Sequence, residues 1–263
     1  MSDLVNTVLL GIIEGVTEFL PISSTGHLLI AEHWLGRRSD VFNVVIQAGA
    51  IVAVVLIYRD RLWQLLRDRR KAENRDYALK LTVAFLITGA LGFLATKMGM
   101  KLPESITPVA WALVIGGLWM IGAEWLAAKQ PERSAITWRV AILVGLAQVV
   151  AAVFPGTSRS AATIFVALLA GTSNRAAATE FAFLVGIPTM FAASGYELLK
   201  SLKAGDAAHE DWTALGIAFM VSLVTAFIAV KWLLGYIQAH RFTPFAIYRI
   251  VLGVVLLIAL PGA

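Results

Sequence analysis

The chain contains no cysteine, which excludes disulfide staples and thiolate metal sites. Charge is scarce as well: Asp, Glu, Lys and Arg make up 15% of its 263 residues, against 59% apolar residues. With a mean hydropathy of +0.77, this balance leaves no soluble stretch long enough for a second domain. It implies an all-α polytopic membrane protein, a single integral domain over residues 1–263. A basic leader is missing too. Asp3 stands where a signal peptide would carry positive charge, so no cleavable signal is expected. The net charge of +5 is no nucleic-acid signature, because the basic residues fall mostly in loops between apolar runs.

Where charge does enter an apolar run, it is concentrated in EGVTEFLPISSTGH, Glu14 to His27. Glu14 and Glu18 interrupt an otherwise apolar helix, and a spacing of four places both carboxylates on one face. Pro21 stops that helix. Ser23, Ser24, Thr25 and Gly26 follow, and His27 opens a second apolar run. The two helical pieces would be about 21 Å and about 20 Å long, and neither crosses a core of about 30 Å upright. A re-entrant hairpin is expected, its irregular backbone tolerated only beside protein or a water-filled cavity.

Six full spans are expected at Val41–Tyr58, Tyr77–Thr96, Ile106–Leu126, Arg175–Leu199, Trp212–Trp232 and Pro244–Leu260. Val140–Ala170 repeats the hairpin grammar around Phe154–Ser160 (FPGTSRS). A shift of 134 lays Gly11 on Gly145, Glu14 on Gln148, Pro21 on Pro155 and Ser24 on Ser158. Shifts of 137 and 136 lay Asn43 on Glu180, Ala110 on Ala246 and Gly117 on Gly253. Each repeat, about 1–127 and about 137–261, would hold one re-entrant hairpin and three transmembrane helices. Three spans change sides and a hairpin does not, so the repeats should be inverted, with their tips meeting near the midplane. One side carries 13 Lys or Arg, seven of them between Arg59 and Asp76, against six on the other (Arg37, Arg38, Lys97, Lys101, Lys200, Lys203). The richer side should be cytoplasmic, with both termini and the mouth of the first hairpin outside.

Helices beginning near Ser24 and Ser158 would aim free N–H groups and positive dipole ends at one place, which favours phosphate. Arg159 adds a planar fork suited to phosphate, or neutralises the Glu pair. Carboxylate and phosphate oxygens together suit Mg²⁺ or Ca²⁺, so Glu14 and Glu18 are metal-ligand candidates. His27 lies three residues after Ser24, placed to move its proton or else packed as a hydrogen-bonded core residue. Arg249 is either a site residue or a structural partner. Glu124 and Glu180 read as structural.

These motifs, with PGTSRSAATI (Pro155–Ile164) and PFAIYR (Pro244–Arg249), resemble the undecaprenyl-diphosphatases of the bacitracin-resistance type over essentially the whole chain. The resemblance implies a phosphatase of the bacterial inner membrane that recycles a polyprenyl diphosphate lipid for peptidoglycan, and the charge bias above would open its site to the extracytoplasmic side. It also implies a divalent cation and interleaved inverted repeats with re-entrant helices. By the same resemblance Glu14 and Glu18 are the acidic pair, Ser24 is the proposed nucleophile and His27 the histidine. Ser158, Arg159 and Thr163 match phosphate-binding positions, with Ser23 and Thr25 beside them, and Arg249 matches the last motif. Ser24, His27 and water stay open as the attacking group. A transporter or flippase of an anionic polyprenyl lipid is the alternative from another class. No nucleic acid is expected, and a homodimer is one option.

Overall fold

The computed structural model describes residues 3–98, 105–205 and 210–260. Lys101, and the expected repeat ends at residues 1 and 261, lie outside them. The described residues form eleven α-helices and no strand.

Helix α1 (Asp3–Thr17) ends where Pro21 approaches, although Glu18 N still bonds to Glu14 O at 2.9 Å and prolongs the last turn. The chain reverses through Leu20–Ile22 and restarts as α2 (Ser24–Leu35). Later in the chain α7 (Trp138–Val153) stops before Pro155, and α8 (Arg159–Ala170) follows. Both restarts use one device. Ser23 (φ 75°) and Ser158 (φ 67°) are the non-glycine residues with positive φ among those described. Each caps its helix, with Ser23 Oγ accepting from Gly26 N at 3.4 Å and Ser158 Oγ from Ala161 N at 3.3 Å. A non-glycine residue in that region costs about 1–2 kcal/mol, a strain held by the surroundings and characteristic of functional turns.

The remaining elements are α3 (Asp40–Ile57), α4 (Arg59–Arg67), α5 (Ala72–Lys97), α6 (Ile106–Ala127), α9 (Arg175–Ala204), α10 (Trp212–Ala239) and α11 (Thr243–Ala259). Five of these (α3, α5, α6, α9 and α10) are long and apolar enough to cross a membrane. The sixth expected span, α11, has 17 residues. Large apolar side chains such as Leu86, Ile115, Met220, Ile228 and Val251 are exposed on α5, α6, α10 and α11. Such a surface suits lipid, not water, and the chain is a multi-pass membrane protein. The stretch expected as a basic loop after Tyr58 differs in part: its first half is α4, whose Arg61 Nε reaches Glu180 Oε1 at 3.0 Å.

Close backbone approach decides the packing. A Cβ on Gly117 would meet the Ala246 carbonyl at 2.7 Å, and one on Gly253 would meet the Ala110 carbonyl at 2.7 Å, so α6 and α11 cross in reciprocal contact. Gly11 of α1 sits likewise on Ala218 of α10 (2.9 Å), and Gly145 of α7 on Ala84 of α5 (2.8 Å). Pro188 inside α9 removes one helical hydrogen bond, immediately before Thr189 and Met190, which line a cavity between the hairpins.

Candidate active site

The two hairpin tips meet inside this frame. Ser160 Oγ, from the second hairpin, donates to the Leu20 carbonyl of the first at 2.9 Å. Arg249, fully buried, clamps both tips from α11. Its guanidinium donates to the carbonyls of Gly156 (2.9 Å), Thr157 (2.9 Å) and Ala112 (3.2 Å), and to Pro21 at 3.5 Å. Gly116 makes room for it, since a Cβ there would fall on the guanidinium.

With the tips held, three charged or hydroxyl groups line up. Ser24 Oγ donates to Glu18 Oε2, and Arg159 Nη2 donates to Glu18 Oε1 at 2.7 Å. One carboxylate, 6% exposed, thus joins the first residue of α2 to the first residue of α8. The Arg159 guanidinium rests 5.9 Å above the Phe19 ring, which packs edge-on against Phe183 at 5.1 Å. These groups border a cavity of about 180 Å³ whose wall includes Glu18, Ser24, Ser158 and Arg159, together with Gln47 and Gln148. Both helix N-termini face it, so free N–H groups and dipoles favour an anion there. A hydroxyl bonded to a carboxylate, itself oriented by a cation beside an anion-attracting cavity, is the arrangement of an activated nucleophile.

Not every expected residue reaches this cavity. The His27 ring nitrogens do not bond the Ser24 hydroxyl. His27 Nδ1 is 2.7 Å from the Ser23 carbonyl, its Nε2 is 2.7 Å from Tyr248 Oη, and its ring stacks on Tyr248. The Ser24 proton therefore points to Glu18, because the helix starts at Ser24 and its first side chain faces back toward the turn. Thr163 is buried one turn into α8, donating to the Arg159 carbonyl at 2.8 Å. Arg249 lies behind the tips and spends its Nη donors mainly on backbone carbonyls, while its Nε is buried without a hydrogen-bond partner. Ser23 and Ser158 cap their helices at the cavity edge, and Thr25 lies exposed at its mouth. Glu124 and Glu180 are structural as expected: Glu124 holds Arg175, Phe242 N and Thr243, and Glu180 holds Arg61 and Tyr77.

Tyr248, Ser160, Gln47 and Gln148 were not singled out for the site. Gln148 carried a signal, since it aligns with Glu14, and Tyr248 adjoins Arg249 in the last motif.

A second cavity of about 290 Å³ shares Ser24, Thr25 and Gln47 with the first and adds Glu14, Glu32 and Asn43. Glu14 is 1% exposed, and its Oε2 has no hydrogen-bond partner. A buried, unpartnered carboxylate oxygen among other oxygen donors fits a hard divalent cation. Among the described residues no three His, Cys, Asp or Glu side chains gather as a ready-made ligand set. Protein donors would therefore share the ion with phosphate oxygens and water.

The model of the family described as bacitracin resistance protein BacA matches residues 7–255. The chain is 71% identical over 255 residues to an undecaprenyl-diphosphatase of Rhizobium etli, covering 97% of this chain and 96% of the relative. It is 62% identical over 263 residues to an undecaprenyl-diphosphatase of Xanthomonas euvesicatoria, covering 100% and 99%.

Proposed function

The chain belongs to the bacitracin resistance protein BacA family, and from that premise we infer that it is an undecaprenyl-diphosphatase. It hydrolyses undecaprenyl diphosphate to undecaprenyl phosphate and inorganic phosphate, and it confers bacitracin resistance. The carrier reading is not favoured, because its relatives at 62–71% identity are named as phosphatases.

The Ser24–Glu18–Arg159 chain of hydrogen bonds is the observation that carries the mechanism. Ser24 Oγ attacks the terminal phosphorus while its proton passes to Glu18. The bond from that phosphorus to the bridging oxygen breaks, and undecaprenyl phosphate leaves. Water then cleaves the phosphoserine, Glu18 returns the proton to Ser24 Oγ, and both protons of the water stay on the released phosphate. Arg159 uses one of its five N–H donors on Glu18 and turns the rest of its fork to the phosphoryl oxygens, where charge develops. Ser23 and Ser158 present the first N–H groups of α2 and α8 to the same oxygens. Thr25 stands at the mouth and Thr163 fixes the first turn of α8. His27 and Arg249 act by holding the tips in register. A divalent cation, Mg²⁺ or Ca²⁺, is the proposed cofactor. Glu14 would hold it, with Glu18 one turn away, and it would neutralise diphosphate charge when bound.

The architecture proposed with this chemistry is an inverted-topology repeat with six spans, α11 included. It is supported by the paired serine caps, the reciprocal Gly117–Ala246 and Gly253–Ala110 contacts, and the matched packing of α1 on α10 and α7 on α5. The proposed location is the bacterial inner membrane, and charge bias favours the site opening to the extracytoplasmic side.

The direct test is phosphate release from undecaprenyl diphosphate by the purified protein, with rapid quenching to trap a phosphorylated residue. Label on Ser24 is expected; label on His27, or on no residue during rapid turnover, reassigns the attacking group.

A further inference from the structure

The cavity beside Glu14 takes part in the chemistry above only through the cation assigned to Glu14. Glu14 and Glu18 are one turn apart, but they border different cavities. Glu18 borders the one beside Arg159, and Glu14 borders the one formed with α2 and α3. Three side-chain oxygens on the walls of this second cavity are buried without a hydrogen-bond partner: Glu14 Oε2, Glu32 Oε1 and Asn43 Oδ1. They come from α1, α2 and α3 respectively. Buried polar atoms are normally paired, and each unpaired one costs about 1–3 kcal/mol. Glu32 and Asn43 hydrogen-bond each other through their side chains, yet three oxygens around one cavity stay unpaired, which marks a shared occupant.

All three are acceptors, so that occupant is a cation or a donor. The pattern of two carboxylate oxygens and an amide oxygen, with no nitrogen or sulfur donor, is what Mg²⁺ or Ca²⁺ selects. We propose that Glu14, Glu32 and Asn43 form a divalent-cation site in this second cavity, separated from the phosphoryl-transfer cavity only by Ser24, Thr25 and Gln47. The opposing charges are accounted for. Arg38, beyond Glu32, is bound to Asp3 at 2.5 Å; Arg37 lies near Glu32, and Arg159, behind Glu14, is bound to Glu18. Placing the ion here leaves Glu18 free to serve Ser24. A bound ion would lower the negative potential beside the phosphoryl-transfer cavity, since Ser24, Thr25 and Gln47 line both cavities.

The site deepens the cation reading above, and its importance for turnover rests on that reading, but its occupancy can be read directly. Equilibrium binding of Ca²⁺, with Mn²⁺ as a spin probe, would be measured on the purified full-length protein in detergent without lipid. Wild-type protein should bind at a single class of site. Glu32→Gln and Asn43→Leu should each weaken binding by about tenfold or more, as loss of even an outer ligand partner does. Glu32→Asp should retain part of the affinity, and thermal melting of each variant reports its fold. Glu18→Gln should lower turnover while leaving Ca²⁺ affinity within about threefold, less than a single lost ligand costs. Wild-type affinity in both Glu32→Gln and Asn43→Leu overturns the site, as does a wild-type protein that binds neither ion. Loss of binding in Glu18→Gln alone moves the ion to the Glu14–Glu18 pair and overturns it as well. Activity that is indifferent to chelator, with binding intact, sinks the cation requirement and leaves the site standing.

Discussion

Arg159 reaches from the second hairpin to the Glu18 carboxylate of the first, Nη2 to Oε1 at 2.7 Å, while the other oxygen of that carboxylate holds Ser24. A single buried group therefore sets both the Ser24 hydroxyl and the Arg159 guanidinium, and the two hairpins cannot separate without breaking it. Losing one partner of such a pair typically costs about 3–5 kcal/mol, because the other charge is left buried alone.

Ser24→Ala should abolish turnover while lipid diphosphate binding persists. Arg159→Lys keeps charge but loses the fork, and should lower turnover by about 10²-fold or more. Single-turnover kinetics beside a binding assay check both. Near-normal turnover in both Ser24→Ala and Arg159→Ala is the outcome that refutes this active site.

Arg249→Met should destabilise the protein more than it alters any step of chemistry. Its removal strands the Gly156 and Thr157 carbonyls, at about 1–3 kcal/mol each. Gly116→Ala should act in the same direction, because the added methyl falls on the guanidinium. Thermal melting should rank both well below wild type, with Arg249→Lys between. An Arg249→Met protein that melts normally but no longer binds diphosphate would return this residue to the substrate.

Tyr248→Phe removes the hydroxyl bonded to His27 Nε2 and should cost about 1 kcal/mol, so turnover should fall by less than about tenfold. His27→Ala also removes the bond to the Ser23 carbonyl and should be the more damaging change. Equal effects in the two variants would place the function of His27 at Nε2 and not at the tip.

The absence of cysteine makes topology directly readable. Single cysteines at Arg70 and Gln130 should react with impermeant reagent only from the cytoplasmic face, and one at Ser39 only from outside. Tags at the two termini should both be outside. Termini on opposite faces would exclude an inverted repeat of hairpin plus three spans.

The local events were legible along the chain. Pro21 and Pro155 end helices because a ring replaces the amide hydrogen, and serines follow because a hydroxyl can cap the next helix. Apolar runs of fixed length mark the long helices, and the glycines at matched offsets become the close crossings of α6 with α11, α1 with α10 and α7 with α5. These follow from properties of one segment at a time. Partner choice does not. Helical spacing put His27 over Ser24, yet the positive φ at Ser23 turned the Ser24 hydroxyl to Glu18 and left His27 to Tyr248, a residue 221 positions away. Likewise Arg249, a phosphate ligand by motif, was directed by α6 packing onto the carbonyls of the tips. Spacing determines which face of a helix a side chain leaves, and with the apolar runs it determined the helical membrane fold. Only the tertiary structure decided which group each side chain meets, because those partners arrive from other helices at ångström-scale positions set by packing.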